Sequence, residues 1–434
     1  MLLIYTSKAT PRFNYTCNWI FGQLMSDWKV TESIEDYRNH TGAKIFYDKI
    51  ENPGSGLHIH PAELIKDDLL HSELPVKSTI EEMPVLYRDV TEFGFDIFSA
   101  VFFMLSRYEE YLPFEVDAHY RFPASQSLSF QNSFLQLPVC DMWVNYLKEN
   151  LIRLQPGIQF KTTKPSCILT YDIDVAFKFR GRKMTRKIAS ILKDLSSFNF
   201  KRIIERLKVM SGTIKDPWDI SDYVKVQAEK IGADCVFFFP AGQKTEYDRS
   251  LDLSNQEVTA LISRIKQFAH IGIHPSYFSP ENKLKLQQEM KTLERVAGLS
   301  IFQSRQHFLR FKIPDTFLNL SESGIREDFS MAFPDMNGFR AGTSHPFNFY
   351  DLKNECETGL KIFPSCIMDQ TCIHYLKYSA EDSWEIIKKY IDLVFRYNGI
   401  FIPIFHNDHL AGKDWMEIHD RMTTYILNHE TTGE

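Results

Sequence analysis

The run SCILTYDIDVAFKFRGRK, Ser166 to Lys183, places two carboxylates, Asp172 and Asp174, at the end of an apolar stretch. Two carboxylates this close resist being charged together in a low-dielectric pocket. A divalent cation or a shared proton relieves the repulsion. One can then ligate a metal while the other takes a proton from water. Other chemistry-bearing residues stand at or near the ends of apolar runs. His274 closes HIGIH, His406 closes IFIPIFH, and Arg305 and His307 lie within or near the end of SIFQSRQHF. In a barrel or a doubly wound sheet, sites form at the C-terminal ends of strands. Separate strands delivering Asp, His, Arg and His therefore describe one site. Carboxylate plus imidazole suits zinc or a similar divalent ion with an open position. His270 and His274 are four apart, but Gly272 and Pro275 oppose a helix there. On a strand such residues lie about 13 Å apart, so His270 cannot share a metal with His274.

These residues need elements to carry them. After Ser166, strand-like and helix-like stretches alternate. CILTYDID, DCVFFFPAG, HIGIHP, SIFQSRQHFLRF and IFIPIFHND read as strands. MTRKIASILKDL reads as a helix with Ile188, Ile191, Leu192 and Leu195 in register. KLQQEMKTLERVAG reads as a helix closed by Gly298, and SAEDSWEIIKKYIDLVFRYNG as one opened by Ser379 and closed by Gly399. Alternation of this kind predicts a parallel α/β layout, open or barrel. The first 160 residues carry strand-like LLIYT and AKIFYD and a helix in FDIFSAVFFMLSRYEEYL. Its Ile97, Val101, Met104, Leu105 and Tyr108 share a face, and a second helix is expected over Asp141–Leu154. RYEEY reads as packing. LQPGIQFKTTKPS reads as a linker, which divides the chain into 1–160 and 161–434.

Composition narrows the class. Of 434 residues, 44% are hydrophobic and 24% charged, which is ordinary for a globular protein. A net charge of -6 argues against a general nucleic-acid binder. No apolar run approaches the roughly 18 residues of a membrane span, and the N-terminus lacks a charged start before its short apolar run. Seven scattered cysteines without metal-site spacing predict reduced thiols and a cytoplasmic location. Residues 178–208 depart from the average, with eleven Lys/Arg against Asp194 and Glu205. They read as a solvated face of insertion helices, or as a patch for an anionic glycan or a membrane surface.

TYDID at 170–174 resembles the first motif of the polysaccharide deacetylases of carbohydrate esterase family 4, the NodB-homology domain. HIGIHPS is similar to the second motif, FQSRQHF occupies the place of the third, and IFIPIFHND resembles the last. Order and spacing carry the resemblance, over residues 166–434. The first 160 residues resemble the domain that accompanies one bacterial branch. The resemblance implies an α/β fold, a distorted (β/α) barrel of NodB type preceded by a smaller α/β N-terminal domain. It implies a divalent metal, zinc first, and removal of an acetyl group from an N-acetylated sugar of a bacterial polysaccharide or its precursor. By position Asp172 is the base, His406 the general acid, and Arg305 the residue that orients the base. Asp174 and His274 are metal ligands. The family's second metal histidine falls on Phe278, which leaves His307 as the candidate third ligand, and the proline after the third-motif arginine is replaced by QHF. Arg340 is a candidate for holding a substrate carboxylate or phosphate, and Trp218 and Tyr277 for stacking on a sugar face. Two other readings stay open: a glycosyltransferase using Asp172-x-Asp174 for a metal and a nucleotide diphosphate, or a degenerate barrel that binds glycan without catalysis.

Overall fold

A computed structural model describes residues 1–182 and 184–432. Lys183 of the basic segment lies outside the described residues, as do the side chains of Arg186 and Lys187. The chain is mixed α/β. Near the N-terminus β1 (Leu2–Thr6), β2 (Trp28–Thr31), β3 (Lys44–Tyr47) and β4 (Leu57–Ile59) form a parallel sheet in the order β2-β1-β3-β4. A hairpin, β5 (Ser78–Ile80) and β6 (Met83–Val85), follows.

The larger sheet is built from β7 (Ser166–Asp172), β8 (Asp234–Pro240), β9 (His270–His274), β10 (Gln303–Ser304), β11 (Glu327–Asp328), β12 (Phe347–Asp351), β13 (Cys356–Ile362), β14 (Ile367–Met368), β15 (Ile400–Phe401) and β16 (Pro403–His406). Its order is β12-β13-β11-β10-β9-β8-β7-β16-β14, with β15 beside the start of β7. Only β12 runs antiparallel, against β13. From β7 to β11 successive strands are neighbours, and the last, β16, returns beside the first, β7. Such a sheet curls. Val236 and Phe238 of β8 share one apolar cluster with Phe329, Phe363 and Ile402, from across the sheet. Phe329 stacks on Phe363 with ring centroids 4.7 Å apart. Backbone pairing does not close the ring, because among the described residues no ladder joins the edge strands β12 and β14.

Alternation along β7 decides what faces where. Tyr171 points outward to stack on Phe237 and to bond His419 of the helix Lys413–Thr432. Thr170 and Asp172 point the other way, toward Arg305. The register sets His406, Asp172 and Phe238 side by side, and Pro240 beside His274.

Several expected elements differ. SIFQSRQHFLRF pairs only through Gln303–Ser304 and then turns through His307–Leu309, with Phe308 at φ 61° and Leu309 at φ 49°. The Gln306 N–H goes to Ser330 Oγ (2.9 Å) instead of a ladder. IFIPIFHND breaks at Ile402, because Pro403 has no N–H to donate, and Asn407 and Asp408 open a short helix. The helix Ile97–Leu105 has no polar face: all nine residues are buried, and the chain leaves it through Arg107 in the left-handed region. The helix Ala380–Arg396 starts with a capping box from Ser379 and Asp382, and it is Asn398, not Gly399, that takes the left-handed turn after it. Gly298 ends the helix Lys283–Ala297 at φ 69°, as its sequence predicts.

The first part packs closely on the rest. Tyr15 and Phe102 both lie about 5 Å, ring to ring, from Tyr350. Arg12 forms an ion pair with Glu355 (2.6 Å), and Asp141 accepts bonds from Thr343 and Ser344. No helix among the described residues is long and apolar enough to cross a membrane.

Candidate active site

The C-terminal ends of β7, β9 and β16 and the turn after β10 meet at a cleft of about 1020 Å³. Asp172, the last residue of β7, is 3% exposed. Its Oδ1 accepts from Arg305 Nη1 at 2.9 Å. Arg305 is wholly buried and spends its other donors on Thr170 Oγ1 (2.7 Å) and the Phe329 carbonyl (3.1 Å), with its guanidinium over the Phe238 ring. A planar fork fixed at three acceptors holds the carboxylate in one orientation. Asp172 Oδ2 is thereby left facing the imidazoles, 3.8 Å from His274 Nε2 and 3.9 Å from His406 Nε2.

Asp174 lies two residues on, past the end of the strand. Its Oδ1 is buried without a hydrogen-bond partner, 3.4 Å from His274 Nε2 and 3.7 Å from His307 Nε2. The far side of each ring is occupied. His274 Nδ1 lies 2.6 Å from the Arg305 carbonyl, which can only accept, so Nδ1 carries the proton. His307 Nδ1 lies 2.9 Å from Asp248 Oδ1. Both Nε2 lone pairs therefore converge with a carboxylate oxygen on one point, all within 4.8 Å of one another. Three acceptors that satisfy no donor, with outer partners fixing both tautomers, fit a divalent cation. The electrostatics agree. Burial works against the Asp174 carboxylate, yet His307, His274 and His406 hold its pKa well below the usual range. Burial lowers the pKa of His274, but Asp172 and Asp174 outweigh it and raise it overall.

His406 ends β16. Its backbone N–H donates to Asp369 Oδ2 (2.7 Å) and its Nδ1 meets Asp369 Oδ1 (2.6 Å), which aims Nε2 into the cleft. Burial pulls its pKa down, but Asp369 foremost, then Asp174 and Asp172, push it up to about 10. A histidine held as imidazolium at neutral pH is a proton donor. Asp369, His406 and His409 form a second close group, but both Asp369 oxygens are already engaged by His406. That group holds the His406 ring in one orientation.

The structure thus brings Asp172, Asp174, His274, Arg305, His307 and His406 together, and Trp218 lines the same cleft. Two expected residues lie elsewhere. Arg340 is buried outside the cleft, its Nε and Nη2 on Glu110 (2.9 and 2.6 Å) and its Nη1 on the Ala332 carbonyl. At 1% exposure it does not reach a substrate in the cleft. Tyr277 lies behind the wall, stacked under Tyr247 at 3.9 Å with its hydroxyl on His119. It is Tyr247 that faces the cleft, with His119 and Phe308. Phe278 is exposed and is not part of the cleft wall.

Four contributors escape a reading by motif: Asp248, Asp369, Tyr247 and Gln306. Asp369 had a signal, since it ends the apolar run CIMD much as Asp172 ends its own. Tyr247 and Asp248 sit in a loop with no periodicity. Gln306 is 1% exposed and lines the cleft, yet neither atom of its side-chain amide has a partner.

Residues 2–156 match DUF7033, a family of unknown function. No curated protein matches the chain. Among solved structures, a protein assigned as a polysaccharide deacetylase from Mycobacterium smegmatis is similar at 13% identity and a TM-score of 0.39, covering 62% of this chain and 86% of that one. Puue allantoinase is similar at 11% and 0.38, covering 63% and 87%. A probable polysaccharide deacetylase from Pseudomonas aeruginosa PAO1 is similar at 11% and 0.38, covering 60% and 84%.

Proposed function

We propose that this chain is a metal-dependent amide hydrolase that removes an acetyl group from an N-acetylated sugar of a bacterial polysaccharide or its precursor. One observation carries the reading: Asp174, His274 and His307 converge on a single point, with Asp172 and His406 beside it. On this reading the curled sheet is a distorted barrel of NodB type, residues 1–160 are an accessory α/β domain, and zinc is the first metal to test. Seven cysteines, none of them in a disulfide, support a reducing, cytoplasmic setting.

Asp174, His274 and His307 would hold the metal, which when bound polarises the acetyl carbonyl and acidifies water. Asp172 Oδ2 accepts the water proton. Arg305 keeps that carboxylate pinned in one orientation. His406, charged through Asp369, protonates the departing amine nitrogen from Nε2, so the products are acetate and a free amine. The unpartnered amide of Gln306 offers one donor and one acceptor to a substrate amide or hydroxyl. Trp218 and Tyr247 offer ring faces to a sugar. A nucleotide-sugar transferase would use the two aspartates but has no use for this acid and base pair.

The test is metal content together with acetate release from N-acetylglucosamine oligomers. About one ion per chain, lost in both Asp174→Ala and His274→Ala, with acetate released by the loaded wild type, is the expected result. Neither metal uptake nor acetate, with glycan still bound, would replace this reading with a non-catalytic glycan binder.

A further inference from the structure

The helices Met184–Ser196 and Phe200–Met210 form a hairpin whose apolar stripe does not join the core. Leu192, Leu195, Phe198, Phe200, Ile204 and Leu207 are 49–79% exposed. Nine of the 28 large apolar side chains exposed among the described residues lie between 188 and 214. Spacings of three and four residues put them on one side of each helix.

Charge says what covers this face. The segment 178–208 carries eleven Lys/Arg and two acids, +9 locally in a chain of -6, so the remainder carries -15. Both acids are used internally. Asp194 takes Arg206 (2.6 Å), whose guanidinium sits over Phe179, and Glu205 takes Lys178 (3.2 Å). Lys193, Lys201 and Lys208 stay exposed beside the apolar stripe. Asp216 accepts the backbone N–H groups of Lys178, Phe179 and Arg180, which ties the two stems together next to Arg182 and Trp218 of the cleft wall.

We infer that this hairpin docks the protein on an anionic lipid bilayer, so that the cleft works on carbohydrate held at a membrane surface. An exposed apolar stripe flanked by lysines fits the interfacial region of such a bilayer. A second copy of the chain fits poorly, because pairing two such faces brings like charges together.

The experiment is co-sedimentation of the full chain with vesicles of phosphatidylcholine alone or mixed with phosphatidylglycerol. Binding to the mixed vesicles only, weakened by salt, is expected. Reversing Lys193, Lys201 and Lys208 to Glu should lower partitioning about a hundredfold. Phe198→Ser with Phe200→Ser should also lower it, with thermal melting unchanged in both variants because these side chains are exposed. Protein that stays in the supernatant, or variants that bind like wild type, would overturn the inference. So would a lipid-free dimer that dissociates in the Phe198→Ser, Phe200→Ser variant.

Discussion

Two buried arginine–carboxylate networks, one at the cleft and one outside it, are finished differently. In one, Arg107 and Arg340 share Glu109 and Glu110. Arg340 grips Glu110 with two donors, Arg107 reaches both glutamates, and Glu109 Oε2 takes the Leu128 N–H. Every carboxylate oxygen there is bonded. In the other, Arg305 is equally satisfied, but Asp172 Oδ2, Asp174 Oδ1 and both amide atoms of Gln306 have no hydrogen bond. The first network holds residues 107–110 against 340. The second keeps polar valences open at the price of stability, and open valences are what a substrate or cation can fill.

The two networks differ most at Asp174. Asp174→Ala should lose metal and turnover together, whereas Asp172→Asn should retain metal and lose about a thousandfold in turnover. Metal titration beside acetate release separates the two, and equal metal content in wild type and Asp174→Ala would sink the ligand assignment. Next in size is Arg340→Ala, which leaves the buried Glu110 Oε2 without a partner while Arg107 still holds Oε1, and should cost about 3 kcal/mol in denaturant unfolding. Its folded fraction should bind metal as wild type does. A normal melting curve would show that the closed network holds nothing together.

Asp369→Asn should lower turnover by about ten- to a hundredfold and change its pH profile. With His406 lifted to about 10, the acid stays protonated and activity declines only in strongly alkaline solution. Without the Asp369 charge the proton leaves earlier, so the alkaline limb moves down toward neutrality. An unmoved limb would remove His406 from the acid role. The smallest effect belongs to Gln306→Met. Removing an unpaired buried amide should raise stability by about 1 kcal/mol while raising KM with kcat little changed. Lower stability in this variant would mean that the amide is satisfied in solution.

Much of this was legible in the residues. Polar side chains at the ends of apolar runs, Asp172, His274 and His406, fall where strand ends meet, since a parallel sheet gathers its C-terminal edges on one side. Helix limits near Ser379 and Gly298 followed from capping chemistry. Tyr277 and Arg340 misled because an aromatic or a cation near a site in sequence carries no information about which way it points. The helix over residues 184–196 shows the same limit in reverse. Its period was readable, but that its apolar stripe would face solvent was not.

The amino-acid order alone therefore determined the strand–helix alternation, the placing of Asp172, His274 and His406 at the ends of apolar runs and the unusual charge of 178–208, because these depend on local propensity, period and residue type. Only the tertiary structure decided that Asp369 stands behind His406 and Asp248 behind His307, that Gln306 is buried without partners, and that Arg340 belongs to Glu110. Those pairings join residues 37, 59 and 230 positions apart. Contacts at such separations are set by how the sheet curls and what it packs against, and no local pattern encodes them.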